Sequence, residues 1–258
     1  MLKLNEIKTF YPKSLHGFPR FMLREYLQYK ILEIVFNSDY KNSINFMGGT
    51  CLRIVHGNQR FSEDLYFDNI NLSEDNFKEL AKSIKKGLVR EGYKVEINPV
   101  FKGAWHCNIK FPGLLFEEGL SGYNTEKILI RLDTEPQNYF YEPEKYILNK
   151  FEIFTTIFNT PLSTLFSQKL FTVLNRKRKM GRDFFDIVFL MGKGIQPDYN
   201  YLAKKANITS HNQIKKDILA TCNPLDMKKL ARDVEPFVFE KSALKRVLLF
   251  KEYFKQNF

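Results

Sequence analysis

Hydrophobic patterns of helical and strand type alternate along residues 20–135. Apolar side chains recur at helical intervals over 20–36, and a second helix is predicted over 74–90 with Ser73 as its N-cap. Short strands are predicted at 44–47, 65–67, 94–98, 105–111 and 127–133. In the last of these, Arg131 and Asp133 share the face opposite the isoleucines. This order predicts an α/β (α+β) fold with a mixed sheet flanked by helices.

The pattern becomes helical after Pro136. Helices are predicted over 161–174 and 182–191, and the lysine-rich remainder keeps apolar residues at helical intervals. We therefore expect two domains. Residues 1–150 would form the mixed-sheet domain, and residues 151–258 would form a basic helical bundle.

Composition narrows the class of protein. A chain of 258 residues that is 44% hydrophobic can bury a substantial core, which excludes a disordered linker. No apolar run approaches the roughly 18 residues that a membrane span needs, so no membrane association is expected. The N-terminal residues lack the apolar segment of a signal peptide, and the three cysteines are odd in number and far apart. We expect a cytoplasmic protein without disulfides.

Positive charge is concentrated towards the C-terminus. The formal net charge is +11, and residues 161–258 hold 19 basic and 9 acidic side chains, a net of +10. This asymmetry favours a polyanionic partner, such as a nucleic acid or a nucleotide phosphate chain. A solvated basic surface in a lysine-biased chain is the alternative that composition leaves open.

Residues 46–68 carry the candidate chemistry. A predicted strand ends at a Gly-Gly pair, a helix begins at Thr50, and the next strand carries Asp64. Glycines let the backbone approach a ligand closely, and main-chain N–H groups at a helix N-terminus attract phosphate. Asp64, with Asp133 from a neighbouring strand, could hold Mg²⁺ against the same phosphates. These residues predict a phosphate-plus-metal site.

The motifs of this region resemble those of a known family. The pattern GG-T-x-L, followed after a short spacer by R-F-S-E-D-L-x-F, resembles the signature of the AbiEii-type toxins of abortive-infection systems, a branch of the DNA polymerase β-like nucleotidyltransferases. It runs here from Gly48 to Phe67. Lys169-Leu170 and the pattern R-D-x-x-D-I that begins at Arg182 are similar too. The resemblance covers about residues 20–190.

The resemblance implies transfer of a nucleotide from a nucleoside triphosphate (NTP) to an acceptor such as RNA. It also implies Mg²⁺ or Mn²⁺ as cofactor and a cognate antitoxin as partner. Asp64 and Asp133 would bind the metal, and Asp133 would help to activate the attacking hydroxyl. Lys169 would point towards the triphosphate, and Asp186 would close the cleft. The candidate nucleotide-binding residues are Gly48, Gly49, Thr50, Arg60, Ser62 and Arg182.

Tyr66 departs from the family pattern S-x-D-[hydrophobic]-D, in which both aspartates bind metal. It stands where the second aspartate is expected, and Asp68 lies about 13 Å along the strand from Asp64. Three explanations are open: a naturally weakened or inactive enzyme, activity with Asp64 and Asp133 alone, or a selected or engineered detoxifying change. The alternative function is an inactive nucleotide- or RNA-binding module with the same fold.

Simpler interpretations of several candidates are also open. Arg60 could be an ion-pair partner of an acidic residue in its own motif, Ser62 a turn or capping residue, and Lys169 a solvated lysine. The run 176–179 could be a solvated basic face or an RNA-backbone contact. Asp183 is expected to be an ion-pair partner on the helix that carries Asp186.

Overall fold

The computed structural model describes residues 1–258 and divides them into two compact units. Unit 1 comprises residues 1–55, 61–138 and 143–159. Unit 2 comprises residues 56–60, 139–142 and 160–258.

Unit 1 is built on one seven-stranded mixed sheet. Its strands are β1 (Ile44–Met47), β2 (Leu65–Asn69), β3 (Glu96–Val100), β4 (Trp105–Pro112), β5 (Lys127–Glu135), β6 (Glu144–Lys150) and β7 (Ile153–Asn159). Its helices are α1 (Leu4–Lys8), α2 (Pro19–Phe36), α3 (Gly48–Ile54), α4 (Glu74–Arg90) and α5 (Leu114–Glu117). The strand order is β3-β4-β5-β2-β1-β7-β6; β2 pairs with β5 and β1 with β7 in parallel, and the other neighbours are antiparallel.

Side-chain alternation gives the strands of this sheet an apolar and a polar face. On β5, Ile130 and Leu132 are fully or almost fully buried, and Phe67 of β2 is buried on the same face. The ring of Phe36 in α2 lies 6.2 Å from the ring of Phe67, so α2 covers this face. The opposite face carries the charged residues of β2 and β5.

Unit 2 is helical. Its helices are α6 (Leu162–Asn175), α7 (Gly181–Gly192), α8 (Tyr199–Ala206), α9 (His211–Cys222), α10 (Met227–Val234), α11 (Lys245–Leu248) and α12 (Phe250–Asn257). Gly181 lets α7 approach α10 closely, because a Cβ there would lie 1.9 Å from the main-chain oxygen of Leu230. Phe250 packs on Phe184 and Phe254, with ring centroids 4.9 and 5.3 Å apart, so these aromatic side chains serve helix packing.

The fold class predicted from the sequence, a mixed sheet flanked by helices and followed by helices, is confirmed. Helix α4 has the predicted bounds, and Ser73 accepts the N–H of Asn76 as its cap at 3.2 Å. The hairpin of β6 and β7 was not predicted, since Ile147 and Phe154 are apolar but exposed and obscure the strand alternation. The sheet therefore continues to Asn159, beyond the domain boundary placed at residue 150. None of the helices has the length and apolar character that a membrane crossing requires.

Candidate active site

Residues of β2, β4 and β5 meet on the polar face of the unit 1 sheet. Tyr66 lies opposite Asp133 in the parallel pairing of β2 and β5. On the other side of β5, His106 of β4 also lies opposite Asp133. Asp64 comes directly before β2, and its Oδ1 accepts the main-chain N–H of Arg131 at 3.3 Å. Asp64, immediately before β2, and Asp133, on β5, are thus brought to two neighbouring parts of the sheet.

Gly48 forms the turn between β1 and α3. Its φ of +80° is a left-handed conformation that glycine adopts without strain. A Cβ at this position would lie 3.2 Å from Cβ of Tyr66 and 3.3 Å from Cδ2 of the same ring. The turn therefore packs directly on the strand that follows Asp64, and the buried Gly49 continues it into the first turn of α3.

Thr50 joins α3 to the segment that precedes β2. Its side chain is fully buried, and its hydroxyl lies 2.8 Å from the hydroxyl of Ser62 and hydrogen-bonds to the carbonyl of Asp64. Gln28 of α2 donates to the carbonyl of Ser62 at 3.1 Å. Both hydroxyls are thus used inside the protein. Main-chain N–H groups in the first turn of α3 are the parts of Gly49 and Thr50 suited to a phosphate.

Asp133 forms an ion pair with Arg131, which precedes it by two residues on the same face of β5. Nε and Nη2 of Arg131 each lie 2.7 Å from Oδ1 of Asp133. The Asp133 side chain is 12% exposed, and the Arg131 side chain is 43% exposed. Burial raises the pKa of the Asp133 carboxyl, and the guanidinium of Arg131 opposes this rise. Arg131 was not among the predicted site residues, although the strand pattern had put it on the face of Asp133.

The residues of this face do not fit the divalent-metal site that the resemblance implies. Mg²⁺ takes oxygen ligands at about 2.1 Å in near-octahedral geometry. Tyr66 stands where the family pattern has the second carboxylate, and Oδ1 of Asp133 already accepts Nε–H of Arg131 and lies 2.7 Å from Nη2 of the same guanidinium. No group of three or more His, Cys, Asp or Glu side chains in the protein is arranged to hold a metal ion.

Asp186 is the centre of a buried group of charged and polar residues in unit 2. Nε and Nη2 of Arg60 donate to its Oδ1 and Oδ2 at 2.8 and 2.7 Å, and Asn58 donates to Oδ1 at 2.8 Å. Nζ of Lys169 lies 2.8 Å from Asp186 and 2.9 Å from Asp183. We call these five residues the Asp186 cluster. It links α6, α7 and the segment 56–60.

The electrostatics of the Asp186 cluster keep its members charged. Burial acts to raise the pKa of Asp186, but Arg60 and Lys169 outweigh it and hold this pKa below the ordinary value. Burial likewise acts to lower the pKa of Lys169, but Asp186 and Asp183 outweigh this effect and raise the pKa above its ordinary value. The Asp186 side chain is 0% exposed, and its role in closing a cleft stays a prediction. Lys169 is engaged in the same ion pairs.

The remaining basic candidates lie between the end of α6 and the first turn of α7. The guanidinium of Arg182 lies over the ring of Phe237, with Cζ 4.9 Å from the ring centroid. Arg176 donates to Asp183 of the Asp186 cluster at 2.9 Å. Lys177 and Arg178 are exposed.

Asn58 of the Asp186 cluster was not among the residues predicted from the sequence, since no motif relates it to Asp186.

Comparisons with known proteins place the chain in a family. The profile of the nucleotidyl transferase AbiEii toxin family, type IV toxin–antitoxin system, matches residues 30–246. No curated protein matches the sequence. The solved structure of JHP933 from Helicobacter pylori is 16% identical with a TM-score of 0.52, and the match covers 92% of this chain and 94% of that chain. A proposed nucleotidyltransferase from H. pylori is 17% identical with a TM-score of 0.52, covering 92% and 97%.

The likeness to these two structures shows the fold alone, because the identities are low. The family match begins within α2 and ends within α11, so it includes both units and every predicted site residue. It agrees with the motifs from Gly48 to Phe67 and around Arg182. The chain belongs to the AbiEii family of nucleotidyl transferase toxins of type IV toxin–antitoxin systems.

Proposed function

We propose that this protein transfers a nucleotide from an NTP to an RNA acceptor, as a toxin that a cognate antitoxin counteracts. Membership of the AbiEii family supports nucleotidyl transfer as the class of reaction. The observation that carries the proposed site is the position of Gly48, Asp64 and Asp133. The glycine turn packs on β2, and the two carboxylates lie immediately before β2 and on its parallel neighbour β5.

Phosphate binding is assigned to the main chain at Gly48, Gly49 and Thr50. The first N–H groups of a helix have no intrahelical acceptor and carry the positive end of the helix dipole. The buried Thr50–Ser62 contact fixes this turn against the segment before β2. The hydroxyls therefore shape the loop, and the N–H groups would contact the triphosphate.

Asp133 is assigned to the proton transfer. The acceptor hydroxyl oxygen forms a bond to the α-phosphorus, the bond to the bridging oxygen of the β-phosphate breaks, and pyrophosphate leaves with the electron pair of that bond. The proton of the hydroxyl passes to the carboxylate. Burial raises the pKa of Asp133, which makes its carboxylate a stronger base than that of an exposed aspartate.

Transferases of this family generally use a divalent metal, which would supply neutralisation of phosphate charge. The carboxylates of this chain do not fit such a site, as described above, so no step is assigned to Mg²⁺ or Mn²⁺. The assay described below therefore compares transfer in Mg²⁺, in Mn²⁺ and in EDTA.

Unit 2 is proposed to bind the RNA acceptor. Residues 161–258 carry a net charge of +10. Lys177 and Arg178 are exposed, and no carboxylate pairs with them, so both can meet a phosphate backbone. Binding through such contacts falls steeply with salt concentration, because counterions are released from the nucleic acid.

A second function, binding of nucleotide or RNA without turnover, is favoured by two observations. Tyr66 offers a neutral phenol where the family pattern has a carboxylate, and Asp133 is held in an ion pair with Arg131. This alternative keeps the fold and the glycine turn but not the chemistry.

One assay separates the two functions. The protein is incubated with each labelled NTP and total RNA in Mg²⁺, in Mn²⁺ or in EDTA, beside the variants Asp64→Asn and Asp133→Asn. Label in RNA with wild-type protein, and none with either variant, is the result expected for transfer. Nucleotide binding in a calorimeter without labelled RNA identifies the binding module. Absence of both label and binding contradicts the proposal.

A further inference from the structure

Arg131 contacts both candidate carboxylates of the polar face. Its main-chain N–H donates to Oδ1 of Asp64 at 3.3 Å, its Nε donates to Oδ1 of Asp133 at 2.7 Å, and its Nη2 lies 2.7 Å from the same oxygen. The guanidinium therefore puts a positive charge against Asp133, on the strand whose main chain contacts Asp64. The parallel pairing of β2 and β5 fixes this arrangement, since Tyr66 stands opposite Asp133 and leaves Asp64 next to Arg131.

We propose that Arg131 is the resident cation of this site, taking the place of a divalent ion beside Asp64 and Asp133 and binding the phosphates of an NTP directly. The inference rests on the proposed nucleotide-binding function and names the residue that provides the charge. It departs from the metal site that the fold family implies.

The geometry of the ion pair leaves Arg131 able to bind a second anion. Its hydrogen bond to Asp133 uses Nε, and its Nη2 lies 2.7 Å from the same oxygen, Oδ1. The Arg131 side chain is 43% exposed. A guanidinium has five N–H donors and binds phosphate through two parallel hydrogen bonds, so it can hold Asp133 and a phosphate together.

The same geometry opposes binding of a divalent ion. A metal ion on Oδ1 of Asp133 would stand next to the guanidinium, and two like charges at that distance repel. In the family pattern a second aspartate on β2 would compensate for this repulsion, but this chain has a phenol instead of a carboxylate at position 66. The pair Asp133–Arg131 is therefore favoured over Asp133–metal.

The first experiment measures Mn²⁺ binding by electron paramagnetic resonance without nucleotide. Wild-type protein is expected to bind Mn²⁺ weakly, and Arg131→Gln is expected to bind it about tenfold or more tightly, because the competing cation is gone. Lys127→Gln is the matched control. Lys127 lies on the same strand and side, is also paired with a carboxylate, Glu96 at 2.8 Å, and lies about 13 Å from Arg131.

The second experiment measures NTP binding by calorimetry in EDTA and in Mg²⁺. Wild-type protein is expected to bind with similar affinity in both buffers. Arg131→Gln should lose about tenfold or more in EDTA, since a charge-assisted contact to phosphate is lost, and Lys127→Gln should match wild type. Arg131→Lys keeps the charge without the planar fork and should fall between the two, which also provides a folded variant if Arg131→Gln does not fold.

The outcomes separate this inference from the proposed function. Tight Mn²⁺ binding by wild type that Arg131→Gln leaves unchanged, or NTP binding that disappears in EDTA, overturns the inference while transfer to RNA can still be observed. If no NTP binds under any condition but Arg131→Gln gains Mn²⁺, the proposed function and the phosphate role fail, and the role of Arg131 as resident cation stands.

Discussion

Tyr66 and Asp133 are direct partners in the parallel pairing of β2 and β5. Side chains of paired residues in parallel strands project from the same face of the sheet. A carboxylate at position 66 would therefore stand beside the carboxylate of Asp133. The phenol that stands there instead also packs against the turn at Gly48.

Replacement of Tyr66 by aspartate tests whether a second carboxylate beside Asp133 creates a metal site. Tyr66→Asp should tighten Mn²⁺ binding by about tenfold or more, which is about 1.4 kcal/mol, and should raise label transfer to RNA. Tyr66→Phe is the matched control, since it keeps the ring that contacts Gly48 and adds no ligand. Tighter NTP binding by Tyr66→Phe, with no metal effect of Tyr66→Asp, would instead identify position 66 as a stacking surface for a base.

The turn at Gly48 should be intolerant of a side chain for two separable reasons. The left-handed conformation alone should lower the free energy of unfolding of Gly48→Ala by about 1–2 kcal/mol. The close contact of the new Cβ with Tyr66 should add to this loss. Gly57→Ala is the control, because Gly57 has φ +76° with open space around its Cβ position. Equal losses in the two variants, measured by urea denaturation, would show that the contact with Tyr66 contributes nothing.

The Asp186 cluster should contribute chiefly to stability. Arg60→Met leaves a buried carboxylate with fewer partners and should lower the free energy of unfolding by about 3–5 kcal/mol. Adding Asp186→Asn should cost much less than the sum of the single changes, because the two residues act on each other. A stable, well-folded Asp186→Asn that has lost only transfer activity would favour the catalytic role expected from the family.

Stability should depend on His56 in weakly acidic solution. Burial, with a smaller effect of Lys193, lowers the pKa of His56 to about 4. Between pH 6.5 and 4 the unfolded chain then binds a proton that the folded protein does not. Stability from this residue therefore falls as the pH falls through this window, by at most about 1.4 kcal/mol per pH unit.

The variant His56→Gln isolates this dependence. Urea denaturation at intervals from pH 7 to pH 4.5 should show a flatter decline for the variant than for the wild type. The lowered pKa of Asp186 acts in a different range, because its stabilisation is complete above its unfolded value near 3.8 and is lost only at lower pH. Parallel curves for the variant and the wild type would show that His56 titrates normally in the folded protein.

The polar face of β5 could be predicted because it depends on local pattern alone. The strand KILIRLD fixes which side chains share a face, and both Arg131 and Asp133 follow from it. The ion pair between them could not be predicted, since it depends on a rotamer and on the burial that neighbouring strands impose. The departure at Tyr66 likewise follows from the motif alone, whereas its contact with Gly48 depends on how β2 packs against the turn.

The ion pair of Arg60 with Asp186 could not be predicted from local pattern. Each lies in a recognisable motif, but their pairing joins residues that are far apart in the sequence. No periodicity carries such information. The motif around Asp186 marked it as a candidate site residue. Its hydrogen bonds to Arg60 and its ion pair with Lys169 are seen only in the structure.

Unit 2 is not a contiguous piece of the chain, and this limits which fragments of the protein can fold by themselves. Asn58 and Arg60 come from the short segment between α3 and β2, whereas Lys169, Asp183 and Asp186 come from α6 and α7. A C-terminal fragment that begins at residue 150 or 160 would place the carboxylate of Asp186 in an apolar interior without its guanidinium partner. During synthesis on the ribosome, Arg60 has no carboxylate partner until α7 has emerged. The helical unit would therefore complete its folding late.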